Sequence, residues 1–356
     1  MKKLDVIING IKVDVVEGSR VLDGIREAGF SVPTLCYDKR VGPQGTCRTC
    51  LVEVEVNGQK ETVASCTAFS QEEMRVETHT GFLKGYRKTL LELLLSETSS
   101  PKNFPNDDPT TRSEFFRAVK EYEAKPDAFP ALQRREPAAD NNPFIQRDYD
   151  LCIACYRCTN ICNDWEQAGA ITVDGRGQDS SIFSFFNNEL MSSPCTFCGQ
   201  CINTCPTGAL SDRKVEMTVN SAPIDRTPTI CPYCGVGCGI NLLTKKGEIV
   251  GSEPDFSAPS EGSLCVKGQF GSWEFVRSEE RLKHPLIKEN GVFKKATWEE
   301  ALNLIVQKFQ GTKNIHGPDS MVCWASARVV TEANYLMQKF ARCVIGTNNI
   351  DNCSRT

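Results

Sequence analysis

The chain has 356 residues, with 41 Lys+Arg against 45 Asp+Glu, and its net charge of −4 leaves no broad basic field for nucleic acid. That length exceeds one ordinary domain and implies two to four. No run approaches the roughly 18 consecutive apolar residues a bilayer span needs. The first six residues meet charge too early for a signal peptide, so a cytoplasmic protein is expected.

Residues 1–78 read as a compact β-rich domain. Val6-Ile7-Ile8 and Ile11 to Val15 flank Asn9-Gly10, a two-residue hairpin signal. Ser19 is placed to cap a short helix through Val21, Leu22 and Ile25, closed by Gly29. Residues 51–56 alternate and turn at Asn57-Gly58 into a strand near Thr62-Val63-Ala64. Residues 79–142 read as a helical connector and linker. Leu83, Tyr86, Leu90, Leu93 and Leu94 share one helical face, and Phe115, Phe116, Val119 and Tyr122 share another. Seven prolines between Glu97 and Asp150 predict extended chain for the remainder. Residues 143–215 and 224–280 carry twelve cysteines. Over 281–356 the pattern turns α/β: a helix over 298–309 with Leu302, Ile305, Val306 and Phe309 apolar, a strand at 320–324, and a helix from Thr331 through Tyr335, Leu336, Phe340 and Val344. One strand–helix unit cannot bury both faces of its layer, so this segment reads as the beginning of a larger α/β domain. The expected fold class is α+β, in several domains.

Nineteen cysteines dominate the chemistry, against only three histidines. In a reducing compartment, close cysteine spacing points to metal rather than to disulfides. Sixteen of the nineteen fall into four groups of four. Cys36, Cys47, Cys50 and Cys66 flank a loop with Gly42, Gly45 and Thr46, where small residues let backbone N–H groups approach inorganic sulfide. A [2Fe–2S] cluster is the reading this favours; a zinc knuckle or buried free thiols are the bland alternatives. Cys152, Cys155, Cys158 and Cys162 run C-x2-C-x2-C-x3-C, and Cys195, Cys198, Cys201 and Cys205 repeat the run before Pro206. An eight-cysteine duplication of this kind is hard to explain as core packing or zinc. Cys231, Cys234, Cys238 and Cys265 form the fourth group, whose spacing alone also suits zinc.

These groups carry a resemblance. The first stretch resembles the [2Fe–2S] ferredoxin domain that opens large oxidoreductase subunits, within a β-grasp frame. The second and third resemble a two-cluster bacterial ferredoxin, in which the fourth cysteine of each run serves the other cluster. That resemblance assigns Cys152, Cys155, Cys158 and Cys205 to one [4Fe–4S] cluster, and Cys195, Cys198, Cys201 and Cys162 to another. Asn163 stands where the first run would have its proline. Cys231-Pro-Tyr-Cys-Gly-Val-Gly-Cys238 and Cys265-Val-Lys267-Gly268 are similar to the [4Fe–4S] domain of molybdopterin oxidoreductases, and Lys267 matches the family's lysine between cluster and pterin. Without the motif, Lys267 would be a solvated surface charge.

The module order resembles the catalytic subunit of a soluble formate dehydrogenase, as do Trp298 to Leu302, Ser326-Ala-Arg328, Asn334-Tyr335 and Gly346 to Asp351. The resemblance implies one [2Fe–2S] and three [4Fe–4S] clusters, plus molybdenum or tungsten bis-molybdopterin guanine dinucleotide in the full-length enzyme. It implies formate oxidation to CO2. Electrons would pass singly by Lys267 and the Cys231 group, through the ferredoxin groups, and out through the [2Fe–2S] domain. The acceptor would be a flavin/NAD-binding partner subunit or a ferredoxin. In the family, selenocysteine or cysteine follows shortly after the segment ending at Asp351; the expectation is an in-frame UGA there and no catalysis by this chain alone. The His-plus-three-Cys cluster of related subunits is expected to be absent, since no cysteine falls between Cys66 and Cys152. A non-catalytic subunit like the large iron–sulfur subunit of NADH dehydrogenase is the alternative, and an iron-only hydrogenase subunit the lesser one. His79 reads as structural, Cys323 and Cys343 as core thiols, and Cys353 as an unassigned thiol near the active-site edge.

Overall fold

The computed structural model of the chain describes residues 2–98, 113–131, 140–184, 188–215, 224–271 and 273–354. Much of the expected extended linker, at 99–112 and 132–139, lies outside the described residues. The chain divides into two compact units, Met1–Ile224 and Asp225–Thr356. Among the described residues, no helix is long and apolar enough to cross a membrane.

The first unit opens on the hairpin of β1 (Lys3–Ile8) and β2 (Ile11–Val16). Asn9 and Gly10 both take positive φ (48° and 82°), as a turn matching the strand twist requires. Helix α1 (Val21–Glu27) has its N-cap at Arg20 rather than Ser19. The Arg20 N–H donates to the Asp23 carboxylate at 3.0 Å, so an acid in the first turn substitutes for a serine cap. The Ser19 carbonyl is occupied instead by the Ser70 N–H. β3 (Leu51–Val56) and β4 (Gln59–Ala64) form a second hairpin, longer than the sequence suggests. β5 (Arg75–Glu77) completes a sheet of order β2-β1-β5-β3-β4, parallel to β1 and antiparallel to β3. Val21, Leu22 and Ile25 of α1 pack on Val6, Ile8 and Val15. A Cβ at Gly24 would stand 3.1 Å from Val15, so this helix lies close against the sheet.

Two helices carry the chain onward. α2 (Gly81–Ser96) is capped by the Thr80 hydroxyl and α3 (Glu114–Glu121) by that of Ser113. The Ser113 hydroxyl and the Phe115 N–H both donate to the Pro206 carbonyl, mooring α3 on the loop after Cys205. Leu91, Leu95, Phe115 and Tyr122 bury with Leu35 and Ile153 in a core whose margins include Cys47 and Cys155. The cysteine-rich region follows: β6 (Ile145–Arg147), α4 (Arg157–Asn160) with a π turn over Ile161–Trp165, β7 (Ile171–Asp174), β8 (Ser181–Ser184), α5 (Gln200–Thr204) and β9 (Leu210–Asp212). β6 pairs with β9 and β7 with β8, both antiparallel.

A polar chain fastens the 36–50 loop to this region. Asp38 accepts from Arg40 (2.7 Å) and from the Thr204 hydroxyl (2.7 Å), and Arg40 also reaches Gln200. Arg157 continues it, donating to Thr204 (3.1 Å) and pairing with Glu114 (2.9 Å). Burial pushes the Asp38 carboxyl up, but the hydrogen bonds and charge of Arg40, with the Thr204 hydroxyl, outweigh it and hold it at about 2.

The second unit is built on a three-stranded antiparallel sheet, β10 (Asp225–Ile230), β11 (Gly239–Lys245) and β12 (Glu248–Pro254), followed by α6 (Val266–Phe270). Beyond a hairpin of β13 (Leu286–Glu289) and β14 (Val292–Lys295) come α7 (Trp298–His316), β15 (Cys323–Ala325), α8 (Thr331–Lys339) and β16 (Ile350–Asn352), with β15 and β16 parallel. The strand expected at 320–324 starts only at Cys323. Pro318–Ser320 is a 3₁₀ turn, held where Asp319 accepts from the Thr347 hydroxyl (2.7 Å) and the Asn349 amide (2.8 Å). The last helix gives way to a π turn over Phe340–Ile345, which buries Ala341 and Ile345. That change of winding leaves Cys343 exposed, correcting its reading as a core thiol; Cys323 is buried as expected. Leu302, Ile305, Val306 and Phe309 are exposed on α7.

Asp38→Ala would leave the Arg40 guanidinium, 1% exposed, without its carboxylate. It is expected to cost the first unit about 3 kcal/mol, read by urea denaturation of the metal-loaded chain.

Candidate metal centres

None of the nineteen cysteines is joined in a disulfide. Among the described residues, no three His, Cys, Asp or Glu side chains converge as tightly as a single metal ion requires. The groups stand instead around loops and cavities.

In the first group, Cys36 and Cys47 meet through the Cys47 N–H, which points at Cys36 Sγ (3.5 Å), while Cys50 and Cys66 lie sulfur to sulfur at 3.4 Å. The Thr49 hydroxyl adds a contact to Cys47 Sγ at 3.2 Å. Gly42 and Gly45 take the positive φ the loop needs (80° and 66°). Hydrogen bonding from Cys47 draws the Cys36 thiol down to about 5, and that from Cys66 draws Cys50 to about 7; both donors move up in turn. A donor set of four close thiols, each pair passing a proton within itself, suits displacement of those protons by iron.

The two ferredoxin-like runs share one backbone device. Ala154 and Tyr156 take left-handed conformations (φ 48° and 62°), and Phe197 and Gly199 repeat them at the matching positions (φ 52° and 75°). In each run the N–H two residues beyond the first cysteine turns back to its sulfur: Ala154 to Cys152 and Phe197 to Cys195, both at 3.4 Å. Three of these four residues are not glycine, so the strain is retained where N–H groups must face sulfur. Cys152, Cys155, Cys158 and Cys205 line one apolar cavity with Tyr149, Ile182 and Leu210. Burial, then the charges of Cys155, Cys152 and Cys205, push the Cys158 thiol well up. Burial, then Cys198, Cys195 and Cys162, do the same to Cys201, and burial carries Cys198 to about 12. The first crossed set thus lines one cavity, while in the second Cys201 feels the charges of Cys198, Cys195 and Cys162.

Cys231, Cys234 and Cys238 of the fourth group sit on the hairpin between β10 and β11, closed where the Cys231 N–H donates to the Cys238 carbonyl (2.9 Å), and Cys265 stands at the N-cap of α6. Cys231, Cys234, Cys238 and Cys265 share a cavity of about 180 Å³ with Lys267 and Arg328. α6, which carries Lys267, is held to β12 by the Ser252 hydroxyl donating to the Gly268 carbonyl (2.7 Å). The core behind the group contains Cys231, Leu264 and Trp273, whose buried indole N–H finds no partner among the described residues. The loop bearing Arg328 is stitched to the cysteine hairpin: the Gly235 N–H donates to the Ala327 carbonyl (2.8 Å), and the Thr331 hydroxyl to the Gly235 carbonyl (3.0 Å). Arg328 was not singled out as a cavity residue in the sequence, although Ser326-Ala-Arg328 was. Beyond it, a cleft of about 430 Å³ opens at the carboxyl ends of β15 and β16, between Asn334, Gln338 and Asp351. Open α/β sheets place ligands at such strand ends. Cys353 lies nearby, its sulfur accepting from the Ala327 N–H (3.3 Å). His79 bonds to the Thr78 hydroxyl (2.6 Å) in the first unit.

Comparison with known proteins agrees in kind. Residues 1–81 match a 2Fe-2S iron-sulfur cluster binding domain, and 142–211 match the ferredoxin-like domain of NADH-quinone oxidoreductase subunit 3. Residues 224–277 match the molybdopterin oxidoreductase Fe4S4 domain, and 281–356 match molybdopterin oxidoreductase. The domain content is therefore that of the molybdopterin oxidoreductase family with iron–sulfur domains. Among its relatives are a Bacillus subtilis protein named "Probable oxidoreductase YjgC", 33% identical, and a Staphylococcus aureus (strain USA300) protein named "Putative formate dehydrogenase", 32% identical. Both alignments cover 99% of this chain but 39% of the relative, so the chain spans about two fifths of their length. A crystal structure of an NAD+-reducing [NiFe]-hydrogenase is similar to 62% of this chain and 91% of its own, at 25% identity and a TM-score of 0.52.

At Gly235 a Cβ would stand 2.8 Å from the Val329 carbonyl. Gly235→Ala is therefore expected to lose about 1–3 kcal/mol from the second unit, measured by chemical denaturation.

Proposed function

We propose that these 356 residues are the iron–sulfur electron-transfer portion of a molybdenum- or tungsten-dependent formate dehydrogenase. The observation that carries this reading is the shared cavity of Cys231, Cys234, Cys238 and Cys265 with Lys267 and Arg328. Two cations on the wall of that cavity suit an anionic pterin cofactor next to the cluster.

When bound, the pterin metal supplies two-electron oxidation of formate to CO2, and one [2Fe–2S] and three [4Fe–4S] clusters supply one-electron carriers. Cys36, Cys47, Cys50 and Cys66 would hold the first. Cys152, Cys155, Cys158 and Cys205 would hold the second, and Cys195, Cys198, Cys201 and Cys162 the third. The Cys231 group would hold the fourth. Lys267 would relay electrons between that last site and the pterin, and Arg328 lines the same cavity. The amide and carboxylate groups of Asn334, Gln338 and Asp351 offer donors and acceptors suited to a pterin edge. A flavin/NAD-binding subunit or a ferredoxin is the acceptor.

A second reading, a non-catalytic electron-transfer subunit, draws on the NADH-quinone oxidoreductase match at 142–211 and the likeness to an NAD+-reducing hydrogenase. One measurement tests both readings together, and a second separates them. The loaded chain should contain about fourteen iron atoms, and Cys205→Ser should lower that by about four; zinc in place of iron overturns both readings. In the full-length enzyme, formate should reduce the clusters, and Lys267→Met should slow that at least tenfold with iron content unchanged. Clusters that stay oxidised under formate yet accept electrons from a flavin-bearing partner decide for the second reading.

A further inference from the structure

Arg87, on α2, is among the largest fully buried side chains, at 0% exposure. Its guanidinium donates to the carbonyls of Thr49 (3.1 Å), Leu51 (2.6 Å) and Thr78 (2.7 Å), and to the Tyr122 hydroxyl (3.2 Å). Every one of these acceptors is neutral. Among the described residues, no carboxylate lies within ion-pair distance of it. The Tyr122 ring, 5.7 Å from the guanidinium carbon, adds only a quadrupole. The field of the charge reaches its surroundings: burial, then Arg87, hold the His79 imidazole below its usual range.

A buried cation solvated only by dipoles is costly unless a negative charge stands nearby. Two of the three carbonyls that hold Arg87 flank Cys50, in the middle of the Cys36, Cys47, Cys50 and Cys66 group. Thr49 ties the two together, since its carbonyl accepts from Arg87 while its hydroxyl touches Cys47 Sγ. Four thiolates with a [2Fe–2S] core carry a double negative charge, which becomes triple on one-electron reduction. A fixed positive charge at this place favours the more negative form.

We propose that Arg87 is the built-in countercharge of the [2Fe–2S] site, a positioning residue that raises its reduction potential. The inference rests on the reading of Cys36, Cys47, Cys50 and Cys66 given above. Tying α2 to β3 is the plainer role, and Lys and Gln separate the two: both lose the guanidinium fork, but only Lys keeps the charge.

The test is a redox titration of the iron- and sulfide-loaded chain, following the electron-spin resonance of the reduced [2Fe–2S] cluster. Arg87→Gln should lower the reduced-to-oxidised ratio at fixed applied potential at least tenfold, equivalent to 59 mV for one electron. Arg87→Lys should stay within threefold of the parent chain. Loss of the [2Fe–2S] signal in Arg87→Gln but not in Arg87→Lys supports the proposal equally, because charge is then what the site requires. An unshifted Arg87→Gln, or Lys and Gln variants that shift or lose the signal alike, makes Arg87 a strap and overturns it. A parent chain with no [2Fe–2S] signal overturns the site itself.

Discussion

Sulfur atoms that ionise repel one another, and away from water they repel more. The chain sets sixteen of them in four groups, and much of its architecture answers that one difficulty. Buried thiols such as Cys158 and Cys201 are driven toward their neutral forms by burial and by their neighbours. Metal must displace those protons, so the polypeptide's task is to keep the thiols assembled until it arrives. Left-handed residues aim N–H groups at sulfur, and short helices and hairpins anchor the loops on either side.

Two kinds of contact then fix one loop relative to another within the first unit. The chain of Arg40, Asp38, Thr204, Arg157 and Glu114 is charged, directional and largely buried, so it specifies a single docking arrangement. The core of Leu91, Leu95, Phe115 and Ile153 is apolar and buried, and it packs α2 against α3 and the Ile153 segment.

How much of this the sequence discloses depends on range. The hairpins at Asn9-Gly10 and Asn57-Gly58 are written in two residues each, and the duplicated cysteine run declares its own symmetry. Ser19 misled because a carboxylate three residues beyond Arg20 supplied the cap. Cys343 misled because a π turn breaks the 3.6-residue period on which its face was judged. Thr204, which bonds Asp38, and Thr49, which bonds Arg87, lie 166 and 38 residues away, and nothing in local pattern marks either charged side chain as buried. Arg328 was visible within a motif, but its place beside Lys267 emerges only when the 326–331 loop folds back onto Gly235. The left-handed Ala154, Tyr156 and Phe197 carry no compositional sign, since the residue that usually announces such a backbone is glycine.

The core between α2 and α3 has Cys47 at one margin and Cys155 at another. Its medium is hydrocarbon and aromatic ring, with few dipoles free to turn. When charge moves between two centres separated by such material, little of the surroundings has to rearrange. The reorganisation energy of a transfer there is correspondingly small, and a jump can proceed quickly on a modest driving force. With clusters bound in the first two groups, the side chains that hold those groups in place would also make the space between them a good conductor of single electrons.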